Sequence, residues 1–165
     1  MKQLSFEEIK NIDKPRFSKS ITIVVDSLRT PQNIASIFRI ADAMAIEQIL
    51  FYQSTFEKYH VEKLSRSTVK HIPYSFFIDS AELYGNLQSS PIIGLEWTDE
   101  SRSIHDFTFP EAFSLVIGGE RHGISNELLD LCTHSVHIPM LGNNSSMNVA
   151  VATGIACYEC RRQEF

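Results

Sequence analysis

The sequence predicts an α/β protein with a mostly parallel six-stranded sheet and helices on both faces. Two observations carry this expectation. Short runs rich in β-branched and aromatic residues alternate with segments of helical periodicity, and regular alternation of that kind closes into a parallel sheet covered on both sides. The 165 residues also suit one domain with a proper core. No internal repeat or long linker divides them, so residues 1–165 read as a single unit, with residues 1–19 a short N-terminal extension.

The strands are expected at Ile21 to Asp26, Ile46 to Tyr52, Ile72 to Ile78, Pro91 to Leu95, Ser114 to Gly118 and Ser135 to Pro139, each bounded by polar or turn-forming residues. Helices are expected at Pro31 to Ala45, Glu57 to Ser67, Ser80 to Gln88, Ser125 to Leu131 and Met147 to Arg162. Ser5-Phe6-Glu7-Glu8 has capping-box form and opens a further short one. Pro31 suits a first helical turn, where its missing N–H costs nothing. Ile34, Ile37, Phe38 and Ala41 then recur at i, i+3, i+4 and i+7, so one face of that helix is buried. Trp97 to Glu111, with Thr98-Asp99-Glu100-Ser101 and Pro110, reads as loop.

Hydrophobic residues make up 43% and charged residues 21% of the chain, as in ordinary globular proteins. No apolar run reaches membrane-spanning length, and Met1-Lys2-Gln3-Leu4 leads into a polar stretch rather than a signal-peptide core. Cys132, Cys157 and Cys160 are an odd count, which argues against a disulfide framework and for a reducing compartment. A cytoplasmic protein is expected. Cys157-x-x-Cys160 has no second pair to complete a zinc site, so no metal is expected. The net charge of −5 works against broad contact with nucleic acid, although charge distribution matters more than the sum. Residues 57–73 carry Lys58, Lys63, Arg66 and Lys70 against Glu57 and Glu62, a local +2. Lys63, Arg66 and Lys70 are candidate RNA contacts; a solvated helix face explains them equally well.

Three segments have the makings of a site. In Pro31 to Ala43, Asn33 and Arg39 follow the first strand, near the carboxyl edge where open α/β sheets bind ligands. Arg39 is not in the apolar quartet and can face a cleft or solvent. In Leu115 to Ser125, a strand runs into Gly118-Gly119-Glu120-Arg121-His122-Gly123, whose glycines allow positive φ and close backbone approach. The segment is neither a P-loop nor the dinucleotide fingerprint. Glu120 would repel phosphate and suit a ligand with hydroxyl, amino or cationic groups. In the third segment, His137 to Ala152, Ile138, Met140, Leu141 and Met147 can form an apolar slot for a flat ring, with Ser146 and Asn148 beside it. A simpler reading of Asn143 to Asn148 is a helix cap at Ser145 or Ser146.

In this order the segments resemble the three motifs of the SpoU (TrmH) group of RNA ribose 2′-O-methyltransferases in the SPOUT superfamily: Asn-x-Gly-x-x-x-Arg, Gly-x-Glu-x-x-Gly, and Ile-Pro-Met followed by Ser-Leu-Asn-Val-x-x-Ala. The likeness runs from Ser20 onward. Ala35 and Ala45 stand where the family has glycine, and Met147 where it has leucine; the methyl of Ala35 would narrow the approach of RNA or of a neighbouring helix. The resemblance implies a C-terminal trefoil knot and S-adenosylmethionine bound beside Leu95, Gly118, Gly119, Ile138, Met140 and Met147. It also implies a homodimer whose active site is completed at the subunit interface. Methyl transfer to a 2′-hydroxyl of RNA would use Asn33, Arg39, Glu120, Ser146 and Asn148. Arg39 would act as general base or as a phosphate positioner, and Glu120 would organise its loop or pair with Arg39. The likeness favours transfer RNA over ribosomal RNA, because the chain carries no added RNA-binding domain. A catalytically silent RNA-binding or assembly protein of the same fold is the competing reading.

Overall fold

The computed structural model describes residues 1–13, 17–87 and 90–165. In chain order the elements are α1 (Phe6–Lys10), β1 (Ser20–Asp26), α2 (Pro31–Ala43), β2 (Gln48–Tyr52), α3 (Lys58–Leu64), β3 (Tyr74–Phe77), α4 (Ser80–Leu87), β4 (Ile92–Leu95), β5 (Arg102–Ser103), β6 (Ala112–Ile117), α5 (Asn126–Leu129), β7 (His134–His137) and α6 (Val149–Arg162). Residues in α1 form the expected capping box, with Ser5 accepting from the Glu8 backbone. Gln88, the expected end of the fourth helix, lies outside the described residues, as does 14–16 within the N-terminal extension.

The sheet has seven strands rather than six, in the order β3-β2-β1-β6-β4-β7-β5, and every pair in it is parallel. The strand missed in the sequence is β5, which lies in the stretch read as loop. It is two residues long and pairs with β7 through Arg102 and Ser103, too short to show any alternation. Several other ends shift inward. α2 stops at Ala43 and α6 starts at Val149, because Asn148 is its N-cap in place of Ser145 or Ser146.

Strands buried on both faces read as near-continuous apolar runs, and β1 is buried from Ile21 to Asp26 with Thr22 interrupting the apolar residues up to Val25. Its alternate side chains serve two cores. Ile21, Ile23 and Val25 meet Ile34, Phe38 and Ala41 of α2, Val61 of α3 and Ala156 and Cys157 of α6. Val24 joins Leu83 of α4 and Leu128 of α5 on the opposite face. Ala35, 2% exposed, lies inside the first of these cores. Its methyl therefore fills core space and does not narrow any approach of RNA; alanine also suits a helix interior better than glycine.

After β5, at the sheet edge, the chain returns to the centre as β6 and goes back out to β7. It then crosses to pack α6 on α2. The far end of α6 is fixed by Arg161, which is 3% exposed. Its guanidinium donates to the carbonyls of Met44, Ala45 and Lys19, each at 2.8 Å, and to Glu164 at 2.9 Å. Ala45 turns the chain out of α2 at φ +50°, in the left-handed region where a Cβ costs about 1–2 kcal/mol. Ala45→Gly should therefore stabilise the protein by about 1 kcal/mol, less whatever glycine adds to unfolded-chain entropy. The check is urea unfolding, with a higher midpoint at unchanged slope.

Candidate active site

A cleft of about 370 Å³ opens at the carboxyl ends of β4, β6 and β7, the edge at which parallel sheets bind ligands. All six residues expected to hold a cofactor line it: Leu95, Gly118, Gly119, Ile138, Met140 and Met147. Glu120, Ser146 and Asn148 line it as well. The apolar members form one wall, and the glycine turn after β6 forms another. A Cβ on Gly118 would overlap the backbone of Gly123. Gly119 and Gly123 exchange two backbone hydrogen bonds, at 3.0 and 3.2 Å, and Gly123 sits at φ +66°. Only glycine closes this turn without strain.

The three segments meet through their amides. Asn148 Oδ1 accepts from the N–H groups of Ala150 and Val151, at 2.9 and 3.2 Å, which caps α6. That leaves Asn148 Nδ2 to donate, and it does so to Asn33 Oδ1 at 2.9 Å. Asn33 Nδ2 in turn donates to Glu120 Oε1 at 2.9 Å. With the cap fixing one amide, each later orientation follows from donor and acceptor count alone. Burial raises the pKa of Glu120, but hydrogen bonds from Thr30 and Asn33 outweigh it and hold the carboxyl below its ordinary value. The same hydrogen bonds that lower it favour the carboxylate form that accepts from Asn33.

Arg39 is not brought to this cleft. It is exposed on α2, six residues and roughly 9 Å of helix rise beyond Asn33. No ion pair or hydrogen bond engages it among the described residues. The partner of Glu120 is Asn33 rather than Arg39, because Arg39 lies on a different face of the helix. The candidate RNA contacts also lie outside the cleft. Lys63 and Arg66 are exposed, while Lys70 is paired with Glu62 at 2.6 Å.

Sequence reasoning missed Glu96 and Trp97 of the cleft wall, and it gave no role to His137, which opens the third segment. Trp97 stacks on His137 with ring centroids 3.6 Å apart at 20°, and His137 Nδ1 meets Ser101 Oγ at 2.9 Å. Their signal was position, since Glu96 and Trp97 immediately follow a strand at the ligand-binding edge. Among the described residues no His, Cys, Asp and Glu cluster could hold a metal. Among the described residues no helix is long and apolar enough to cross a membrane. Burial pushes the Cys132 and Cys157 thiols up to about 12, so neither is a reactive thiolate.

Relatives share this arrangement of elements. The chain is 28% identical to a protein of Staphylococcus epidermidis assigned to the TrmH family of tRNA/rRNA methyltransferases; the match covers 96% of this chain and 65% of that protein. It is 26% identical to the tRNA (guanosine(18)-2′-O)-methyltransferase of Aquifex aeolicus, over 88% of this chain and 70% of the relative. The crystal structure of the SpoU methyltransferase AviRb from Streptomyces viridochromogenes, in complex with AdoMet, superposes with a TM-score of 0.79 at 27% identity, covering 90% of this chain and 59% of that one. The pattern characteristic of the SpoU rRNA Methylase family matches residues 20–158, from the first residue of β1 deep into α6, and the chain belongs to that family.

Proposed function

We propose that this protein transfers a methyl group from S-adenosylmethionine to a ribose 2′-hydroxyl of RNA, with transfer RNA the preferred class. The observation that carries this reading is the relay from Asn148 through Asn33 to Glu120, which ties all three motif segments to the rim of one cleft. Family membership, the AdoMet complex of AviRb and the tRNA 2′-O-methyltransferase of Aquifex aeolicus support it.

The cleft fits the cofactor chemically. Leu95, Ile138, Met140 and Met147 offer apolar walls to the adenine ring, and Gly118 and Gly119 allow backbone contact. When bound, S-adenosylmethionine supplies a methyl group activated by its sulfonium. The protein must then position a 2′-hydroxyl and help its proton leave. Ser146, exposed at the rim, offers that hydroxyl a hydrogen-bond partner, while Asn148 is committed to α6 and Asn33.

Arg39 supplies the cleft of a second copy in this proposal. It is exposed on α2, which packs on α6. On α6, Val151, Ile155 and Tyr158 form an apolar stripe 54, 40 and 62% exposed. A homodimer packed through these helices would cover the stripe and bring Arg39 to the partner's active site. An exposed guanidinium is better suited to gripping a phosphate by two hydrogen bonds than to accepting a proton. We therefore assign Arg39 to positioning the RNA. Lys63 and Arg66 would extend the phosphate track, and Lys70 would join it by giving up Glu62. The implied trefoil knot belongs to this reading, supported by the crossings from β5 to β6 and back to β7. So does a cytoplasmic setting, which its three free cysteines fit.

Tritiated methyl should pass from S-adenosylmethionine into transfer RNA from a strain lacking the protein, and be recovered as a 2′-O-methylnucleoside. Label in ribosomal RNA alone would overturn the preferred substrate, and no label in either pool would overturn the activity. Arg39→Ala should lower turnover by about 10²-fold, as for lost substrate positioning, while leaving cofactor affinity near wild type; near-normal methylation would sink its assigned role. Asn148→Ala should cost about 1 kcal/mol of stability through the lost cap and weaken cofactor binding, as measured by urea unfolding and titration calorimetry. Tyr158→Arg should convert a dimer to a monomer in sedimentation velocity; unchanged sedimentation would exclude this face as the interface.

A further inference from the structure

Glu96 belongs to none of the three motif segments, yet it joins two walls of the cleft. Its backbone is built into the sheet: Glu96 N donates to Val136 O at 2.9 Å, and Ser135 Oγ donates to Glu96 O at 3.1 Å. Its carboxylate reaches across to the glycine turn. Oε2 accepts from the N–H of Ile124 at 3.1 Å, while Oε1 accepts from the N–H of Trp97 at 3.0 Å. Ile124 is 4% exposed, so its N–H is shielded from water. A backbone donor in such a place needs a protein acceptor.

The turn is shaped around this carboxylate. A Cβ on Gly123 would overlap Glu96 Oε2, so glycine serves there twice, once for its φ of +66° and once to admit the carboxylate. Gly119 is held by its two hydrogen bonds to Gly123. The position of the turn beside Leu95 is therefore fixed by Glu96 and not by the turn alone.

We propose that Glu96 is a positioning residue for the cofactor, acting by bracing the glycine turn against the end of β4 rather than by direct charge contact. The proposal rests on the cofactor reading above. The geometry favours a brace because each carboxylate oxygen already accepts from a backbone N–H of a cleft wall. A brace of this kind acts on cofactor and product alike, because it shapes the cleft without sensing the sulfonium charge.

Two variants separate reach from charge. Glu96→Gln keeps the reach and one acceptor oxygen for Ile124 but loses the charge. Glu96→Asp keeps the charge but is shorter by one methylene and falls short of Ile124. Titration calorimetry with S-adenosylmethionine and S-adenosylhomocysteine should show Glu96→Gln within about threefold of wild type. Glu96→Asp should be weaker by about tenfold for both ligands, as expected for loss of the one hydrogen bond to Ile124. Hydrogen exchange of residues 118–124 in the free protein should speed up in Glu96→Asp only. Loss confined to Glu96→Gln, loss for S-adenosylmethionine alone, wild-type binding by both variants, or equal loss in both would each overturn the brace. If the wild-type chain binds neither ligand, the cofactor reading fails, and the exchange rates alone decide whether Glu96 holds the turn.

Discussion

The Arg161 guanidinium binds together three stretches of chain that are distant in sequence: the entry to β1 at Lys19, the turn at Met44 and Ala45, and the end of α6 at Glu164. A buried cation is tolerable because its donors meet three carbonyls and a carboxylate, and because Phe17 lies 4.8 Å from it as a ring face. Removing it would strand those acceptors, which is why this contact outranks any single apolar pair nearby. Its reach is longer than its size. α6 is a rod of fourteen residues, about 21 Å long, and fixing one end helps to place the other.

The other end is Asn148. Capping by this residue is a local matter, but its remaining amide donor exports the result to α2 and the glycine turn. The chain of contacts runs from the positive end of a helix dipole to a carboxylate, so each hydrogen bond in it is polarised the same way. Hydrogen bonds from Thr30 and Asn33 hold the Glu120 carboxyl below its ordinary pKa at the end of that chain. The cleft is thus assembled electrostatically as well as by packing, and its geometry depends on α6 lying on α2.

Much of this was legible in the sequence, for identifiable reasons. The apolar run of β1 and the i, i+3, i+4, i+7 pattern of Ile34, Ile37, Phe38 and Ala41 record burial directly. The six cleft-lining residues carried over from the resemblance all line one cleft. What was hidden is what folding alone creates. Asn33 meets residues 87 and 115 positions away, and no local pattern encodes such a meeting. Among the consecutive polar residues before α6, several could cap it, and only backbone geometry selects Asn148. Trp97 looked like the start of a loop and Glu96 drew no reading, because their importance comes from standing at a strand end. Arg39 has helical spacing that leaves its direction open until the packed face of α2 is known.

The strand order also bears on how the chain emerges from the ribosome. β2 pairs with β1 on one side and β3 on the other, so these three strands can pair as soon as they are made. β4 has only β6 and β7 as partners, so once synthesised it must wait for residues 112–117 before it can join anything. Until then β1 presents an open edge of unpaired backbone N–H and C=O groups on the nascent chain. At roughly 5–20 residues per second that interval lasts on the order of a second or more. The same insertion of β6 that creates the cleft therefore delays the moment at which the sheet is safe from wrong pairing, and hands that interval to whatever guards nascent chains.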